Sequence, residues 1–404
     1  MLQHPTGNRE LIRAINRSHV LNAVKTHGPI GRADIARRTG LSPATVTSIS
    51  AKLISQELVL EKSAGDSSGG RPPILLVINP KGGYVVGIKL TETHAVCVLT
   101  DLEALVIAKS SMPLSGHKPE QVVADLAQMV LSFIREQKIT KKQLLGVGVG
   151  LAGIVDAEDG ILRQSPIYGW DNVPLRAMLQ SKLHIPVFIE NDVNTLTLTE
   201  RWFGHGQGVD NFLTVTVGRG VGLGIVANGQ FYHGQTGGAG EFGHTTINPD
   251  GPLCACGKHG CLEAYVGDPG LIRSAQEAAA RGELPASIRN VDKLLSLAQK
   301  GDAAAIQIFD QAGRILGIGI ANLINLFNPK KIIISGEGTR EGDFLFIPMQ
   351  ESIQQNTMPG LFDPNTVEIA PWGDDAWARG AAGLVLREVF ESPIHKKVSA
   401  PVVA

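Results

Sequence analysis

The chain lacks a run apolar enough to cross a bilayer: its 404 residues hold no stretch of about 18 consecutive apolar positions. Its start, Met1-Leu2-Gln3-His4-Pro5, lacks the charged-then-apolar pattern of a secretory signal. No membrane insertion is therefore expected. Cysteine is scarce, four residues in all; Cys254, Cys256 and Cys261 share an eight-residue window and Cys97 stands apart. That spacing is no disulfide framework and suits one metal site in a reducing, cytoplasmic setting. Net charge is nearly missing as well, at −1, which on its face excludes a nucleic-acid binder. Aromatic residues are 5% and charged residues 19%, but hydrophobic residues reach 43%, so global disorder is excluded. What is plentiful is glycine, 47 residues without a collagen-like period, which points to turns and ligand loops. The length suits two or three domains.

The near-zero charge is an average over two unlike parts. Residues 1–80 carry ten Lys and Arg against five Asp and Glu, a net of +5. Residues 81–404 carry 27 against 33, a net of −6. A basic N-terminal module on an acidic body suggests a part that faces nucleic acid. Residues 18–62 read as three short helices. Ser18 is placed to cap the first, with Val20, Leu21 and Val24 apolar and Gly28-Pro29 as its stop. The second runs over 32–39, with Ile35 and Ala36 inward. After the turn Gly40-Leu41-Ser42, Ser42 suits the N-cap and Pro43 the first position of a third helix over 43–56. Val46, Ile49, Leu53 and Ile54 make its buried face. Thr45, Thr47, Ser48 and Lys52 face outward, as short donors and acceptors for base edges plus a cation for phosphate. Two helices joined by a short glycine-containing turn are a helix-turn-helix signature.

A hairpin over 58–61 and 74–78 follows. Its loop ends in Gly70-Arg71-Pro72, which offers Arg71 to a narrow minor groove, although a solvated loop arginine fits the same pattern. The module reads as a winged helix-turn-helix with Ser42, Thr45, Thr47, Ser48, Lys52 and Arg71 as candidate DNA contacts. The alternative is a small helical module for protein interaction.

Past residue 80 the pattern changes. Strands are predicted over 84–88, 95–99, 105–111, 145–150, 187–190, 211–217 and 221–227. Helices are predicted over 119–137, 269–281, 291–299, 302–327 and 375–390. This alternation defines an α/β class. The tail 393–404 is expected to be loose, so the division is 1–80 for the winged module, 81–392 for the body and 393–404 for the tail. His244 with Cys254, Cys256 and Cys261 supplies one imidazole and three thiolates, a donor set for tetrahedral Zn²⁺. His259 is a rival ligand, and three free buried thiols are the alternative without metal. Four protein ligands leave no open position, so one structural zinc per chain is expected.

Several motifs together resemble the ROK family, whose name joins repressors, open reading frames and sugar kinases. They are Leu151-Ala152-Gly153-Ile154-Val155-Asp156, Glu190-Asn191-Asp192-Val193-Asn194, Gly218-Arg219-Gly220-Val221-Gly222-Leu223-Gly224, Gly240-Glu241-Phe242-Gly243-His244, the run from Cys254 to Glu263, and Asn325-Leu326-Phe327-Asn328-Pro329. The resemblance covers about residues 12–390. With a winged module ahead of the body, the chain is similar to the repressor branch, whose members answer to xylose, N-acetylglucosamine or glucose. The resemblance implies a two-lobed, actin-like body with a sugar in its cleft. It implies that Asn191, Asp192, Glu241, His244 and Glu263 hold sugar hydroxyls. His244 would bind zinc through one nitrogen and face the sugar with the other.

In the family's kinases the aspartate matching Asp192 is the general base that activates a sugar hydroxyl. The phosphate half of the kinase motif is altered here. Lys89 replaces an aspartate in Gly87-Ile88-Lys89-Leu90-Thr91-Glu92-Thr93, and Thr91 and Glu92 replace glycines that would approach phosphate. Ser335-Gly336-Glu337-Gly338 lacks the kinase Gly-Gly pair, while Arg219, where threonine is usual, is the one change that attracts phosphate. The expectation is a sugar-responsive DNA-binding regulator without enzymatic activity, most simply a repressor of carbohydrate-utilisation genes, acting as a homodimer or homotetramer on a double-stranded operator. The alternatives are an ATP-dependent sugar kinase with an added DNA-binding domain, and a repressor whose signal is a protein. For Asn191 and Asp192 the alternative role is capping at a strand end.

Overall fold

A computed structural model describes residues 9–63 and 74–390. The N-terminal module comprises α1 (Arg9–His27), β1 (Ile30–Gly31), α2 (Arg32–Thr39), α3 (Pro43–Ser55), β2 (Val59–Ser63) and β3 (Ile74–Ile78). β3 pairs antiparallel with both β1 and β2. Val20, Leu21, Ile35, Val46, Leu53 and Leu76 are buried where the helices meet this small sheet. The first helix begins nine residues before Ser18, so Ser18 is no cap. It lies inside α1, buried, and its hydroxyl donates to the Ile15 carbonyl at 2.9 Å. A helix-interior serine satisfied by its own preceding turn does not stop a helix.

The body continues with β4 (Tyr84–Leu90), β5 (His94–Thr100), β6 (Val106–Pro113), α4 (Pro119–Glu136), β7 (Leu144–Leu151), β8 (Ile154–Asp156), β9 (Ile161–Ser165), β10 (Trp170–Val173), α5 (Leu175–Leu183), β11 (Val187–Asn191) and α6 (Asp192–Phe203). Then come β12 (Phe212–Val217), β13 (Val221–Ala227), β14 (Gln230–Phe231), α7 (Glu263–Val266), α8 (Asp268–Ala280), α9 (Val291–Gln299), α10 (Ala303–Phe327), β15 (Lys331–Ser335), α11 (Asp343–Asn356), β16 (Val367–Ile369) and α12 (Asp374–Phe390). Two five-stranded sheets run β11-β7-β4-β5-β6 and β14-β13-β12-β15-β16. Numbered within each sheet by chain order, both read 5-4-1-2-3, one topology used twice. In the second sheet β12 and β13 are antiparallel while β12, β15 and β16 are parallel, so the sheet is mixed.

The chain divides into two compact bodies. One holds the described residues up to Val149 with Pro174–Ile189 and those from Ala381 on; the other is Gly150–Val173 with Glu190–Gly380. In the second body, β12, β13 and β15 pack against α8, α9, α10 and α11, with Phe309, Leu316, Ile320 and Met349 fully buried between the layers. Among the described residues no helix is long and apolar enough to cross a membrane.

The α/β class and most of the expected elements are present. α5, α6, α7, α11, β1, β8, β9, β10, β14, β15 and β16 were not anticipated. α6 shows why. Its sequence is rich in β-branched residues, and Asn194 to Glu200 are all buried, so no apolar stripe alternates with a polar one. Its threonines satisfy themselves on the preceding turn, Thr195 Oγ1 donating to Asp192 O at 2.7 Å and Thr197 Oγ1 to Val193 O at 2.8 Å.

Candidate functional site

The loop 244–261 is a knot of short turns. Thr246 bridges Cys261, and Leu253 bridges His259. Cys254 N donates to Lys258 O at 2.8 Å and Gly260 N to Pro252 O at 2.8 Å. These bonds bring the donor atoms of His244, Cys254, Cys256 and Cys261 within 4.8 Å of one another. His244 Nδ1 lies 3.5 Å from Cys254 Sγ, and Cys256 Sγ lies 3.6 Å from Cys261 Sγ. Donors about 2.0–2.3 Å from a common tetrahedral centre sit about 3.5–3.8 Å apart, so the set fits a zinc-sized ion. The donor chemistry agrees. Burial first, then the neighbouring Cys256 and Cys254, push the Cys261 thiol up to about 12, an energetic demand that a cation relieves. His259 is not part of the set: its Nδ1 pairs with Gly251 O at 3.0 Å. Cys97 is buried in β5, which belongs to the first body, whereas the loop belongs to the second.

The candidate sugar residues all lie in the second body, gathered around the start of β13. Val193 presses on Gly222, where a Cβ would lie 2.4 Å from Val193 Cγ2. Gly240, at φ +93, passes Leu223 so closely that a Cβ would sit 2.0 Å from its carbonyl oxygen, so only glycine fits. Glu263 Oε2 accepts from Val221 N at 3.0 Å. One strand thus locates the N-terminus of α6, the turn that carries Glu241 and His244, and α7.

Asn191 is the N-cap of α6. Its Oδ1 accepts from Val193 N at 2.9 Å and Asn194 N at 3.3 Å, and its Nδ2 donates to Gly153 O at 3.0 Å. Asp192 opens the helix and accepts from Val193 N at 3.0 Å. His244 turns its Nδ1 to the cysteines and its Nε2 towards Glu241 Oε2, 3.9 Å away. Two residues not singled out from sequence hold this arrangement. The buried Glu190 accepts from Asn191 N at 2.8 Å and Asn194 Nδ2 at 3.1 Å, and pairs with His233 Nε2 at 2.8 Å. Glu190 stood in the quoted motif beside Asn191, but nothing in the sequence tied it to His233.

In the first body Lys89 is buried near the end of β4, and Thr91 N and Oγ1 both donate to His94 O, closing a tight turn before β5. In the second, Glu337 stands against Gly218, where a Cβ would meet its Oε2 at 2.4 Å.

In the winged module Ser42 caps α3, its Oγ accepting from Thr45 N at 3.1 Å and sharing a 2.8 Å contact with Thr45 Oγ1. Thr47 Oγ1 donates to Pro43 O at 2.8 Å. Thr47, Ser48 and Lys52 are exposed, Thr45 is half-buried, and Val46, Ser50 and Leu53 are buried on the opposite face. Arg32 bonds Glu61 at 2.5 Å and ties α2 to the first strand of the hairpin. Arg71 and the tail from Pro393 lie outside the described residues.

A family model described as the ROK family matches residues 85–388, and one described as the MarR family matches residues 15–63. The chain is 31% identical to the xylose repressor of Caldicellulosiruptor bescii over 395 residues, 96% of this chain and 99% of that protein. It is 32% identical to the DNA-binding transcriptional dual regulator NagC of Escherichia coli over 391 residues, 96% of each. A solved ROK family transcriptional regulator, described as a homolog of the E. coli MLC protein, matches with a TM-score of 0.83 at 29% identity, over 94% of this chain and 98% of that one. A family match over more than half of the chain, with relatives aligned along nearly all of it, leaves one conclusion: this chain belongs to the ROK family and carries a MarR-like module at its N-terminus.

Proposed function

We propose that the chain is a sugar-responsive transcriptional repressor that binds operator DNA through the winged module and a sugar through the second body. The observation that carries this reading is a capped, outward-facing α3 joined in one chain to a body where Asp192, Glu241, His244 and Glu263 converge on the start of β13. The xylose repressor and NagC named above are similar to this chain along nearly all of its length.

In this reading Thr47, Ser48 and Lys52 enter a major groove. Ser42 and Thr45 hold the N-terminus of α3, which positions its first turn near phosphate. Arg71 reaches a minor groove. A two-fold operator calls for two modules, hence a homodimer or a pair of dimers. Asn191, Asp192, Glu241, His244 and Glu263 would bind adjacent sugar hydroxyls. Asn191 does so with the amide hydrogen that Gly153 does not use, since an amide nitrogen carries two donors. His244 donates or accepts through Nε2, because Nδ1 is turned to the three thiols. His244, Cys254, Cys256 and Cys261 would hold a zinc ion, which would supply a structural cross-link of the loop. Bound through Nδ1, His244 would be fixed in ring orientation and tautomer.

The kinase reading has Asp192 in its favour as a base. Against it stands Lys89, buried where family kinases keep an aspartate, with the Thr91–His94 turn in place of a glycine cradle. The test is operator binding by the full-length protein, measured against a panel of pentoses, hexoses and amino sugars. Release by one sugar, lost in Glu241→Ala with apo DNA binding kept, is the expected result. Identical binding with every sugar, or sugar-dependent ADP production that disappears in Asp192→Asn, would overturn the proposal.

A further inference from the structure

α6 begins with the candidate sugar residues and ends in a lock of buried contacts. Glu200, fully buried near its C-terminus, accepts from Trp372 Nε1 at 2.5 Å and from His205 N at 2.9 Å. Thr199 Oγ1 donates to Ala376 O at 2.9 Å. Gly380 approaches α6 so closely that a Cβ would lie 1.9 Å from Thr195 O. Leu196, Ala376 and Trp377 close the apolar side of the same junction. All of these contacts lie within the second body. α12 starts here, and the chain passes into the first body within this helix, between Gly380 and Ala381. At its last residue, Phe390, the carbonyl accepts from Asn22 Nδ2 of α1 at 2.8 Å, and the Nζ of Lys25 lies 4.6 Å above the ring. Phe390 is itself buried. One helix therefore has its first turns bonded to the sugar helix and its last residue bonded to the first helix of the DNA-binding module.

We propose that Glu200 and Trp372 are positioning residues that transmit occupancy of the sugar site to the winged module, with α12 as the element that carries the change and Asn22 as its receiver. This rests on the sugar-responsive reading above. The reasoning is mechanical. A ligand moves an equilibrium only through contacts that differ between two states. The Glu200–Trp372 bond holds the segment that leads into α12, and the Thr199–Ala376 bond and the close Gly380 approach hold α12 itself, so a displacement of α6 must be followed by α12 or break these contacts. Coupling is reciprocal, so operator DNA at the winged module must in turn be felt at α6. That reciprocity allows a test that needs no known sugar.

The experiment uses the full chain and an operator duplex selected by the protein from random sequences. Amide hydrogen exchange of residues 191–203 is measured with and without that duplex, for the wild type, Trp372→Phe and Asn22→Ala. Trp372→Phe keeps a six-membered aromatic ring and removes the indole N–H donor; Asn22→Ala removes the other end of the relay. DNA is expected to change exchange in α6 by about threefold or more in the wild type, and to leave it unchanged in both variants, whose operator affinity stays within about threefold. Where a sugar is known, the variants bind it normally but lose about tenfold or more of its effect on operator affinity. If Trp372→Phe fails to fold, Asn22→Ala carries the test alone. An α6 indifferent to DNA in the wild type, or equally responsive in the variants, overturns the relay. A wild type whose α6 answers to DNA but whose operator affinity no sugar alters overturns the sugar reading and leaves the relay standing.

Discussion

Replacing Glu341 by glutamine should stabilise the second body at high pH and do little at low pH. Glu341 ends a short turn over Glu337–Glu341, is 1% exposed, and has no hydrogen-bond partner on either carboxyl oxygen among the described residues. Asp268 stands near it with its Oδ1 also buried and unpartnered, while its Oδ2 is held by Arg340 at 2.9 Å. Burial first, then the negative charge of Asp268, push the Glu341 carboxyl from 4.5 to about 8, against the opposite pull of Arg340. The native state thus keeps a proton between pH 4.5 and 8 that the unfolded chain releases. The contribution of this group to stability is complete below pH 4.5 and is lost as pH rises through about 8. At about 1.4 kcal/mol for each pKa unit the loss is at most about 5 kcal/mol, or on the order of 10 °C in melting temperature for a body of this size. Glutamine mimics the protonated form at every pH. Thermal unfolding followed by circular dichroism should show Glu341→Gln and wild type melting together at about pH 4, with the variant ahead by a margin that grows from about pH 4.5 and levels off above pH 8. A margin independent of pH, or one that shrinks as pH rises, would refute the reasoning.

Metal analysis should find about one zinc ion per chain, and Cys256→Ser should lower both the melting temperature and the response to sugar. A metal-free protein with full stability and full response would remove the zinc from the account. Lys52→Ala should weaken binding to all duplexes alike and reduce the slope of log affinity against log salt by about one. A variant with an unchanged salt slope would mean that Lys52 does not reach a phosphate.

The parts of this protein that were legible in its sequence are those governed by local rules. The cap of α3 needs only Ser42, Pro43 and the hydroxyl-to-amide reach of one turn, and it forms as expected. The three cysteines fall in one short loop, so proximity in sequence already implied proximity in space. The amphipathic helices α4, α9 and α10 bury one side, and a one-sided helix writes its period into the chain. Over Asn194 to Glu200 α6 is buried on every side and writes no period, so the helix that opens with two of the candidate sugar residues could not be seen. The Glu190–His233 pair and the Glu200–Trp372 pair join segments far apart in the chain, and they depend on a strand order that no local pattern encodes. Glu341 was illegible for a related reason: a glutamate in a glycine-rich turn looks solvated until the layers around it are assembled.

Asn191 shows how the two kinds of information combine. Sequence reasoning set two roles against each other, a sugar ligand and a cap at the end of a strand. The geometry makes them compatible. The carbonyl side of the amide is committed to Val193 N and Asn194 N, and one amide hydrogen to Gly153 O. These bonds fix the rotation of the side chain, so the remaining hydrogen points in one direction, set by the strand-to-helix junction itself. A ligand residue locked by its own helix cap loses no rotamer freedom when a hydroxyl arrives, and for a small polar ligand that saving is about 0.5–1.5 kcal/mol per side chain. On the proposed sugar-binding reading, capping is therefore the means by which a flexible amide becomes a preorganised donor, and the buried middle of α6, Asn194 to Glu200, holds that cap in place.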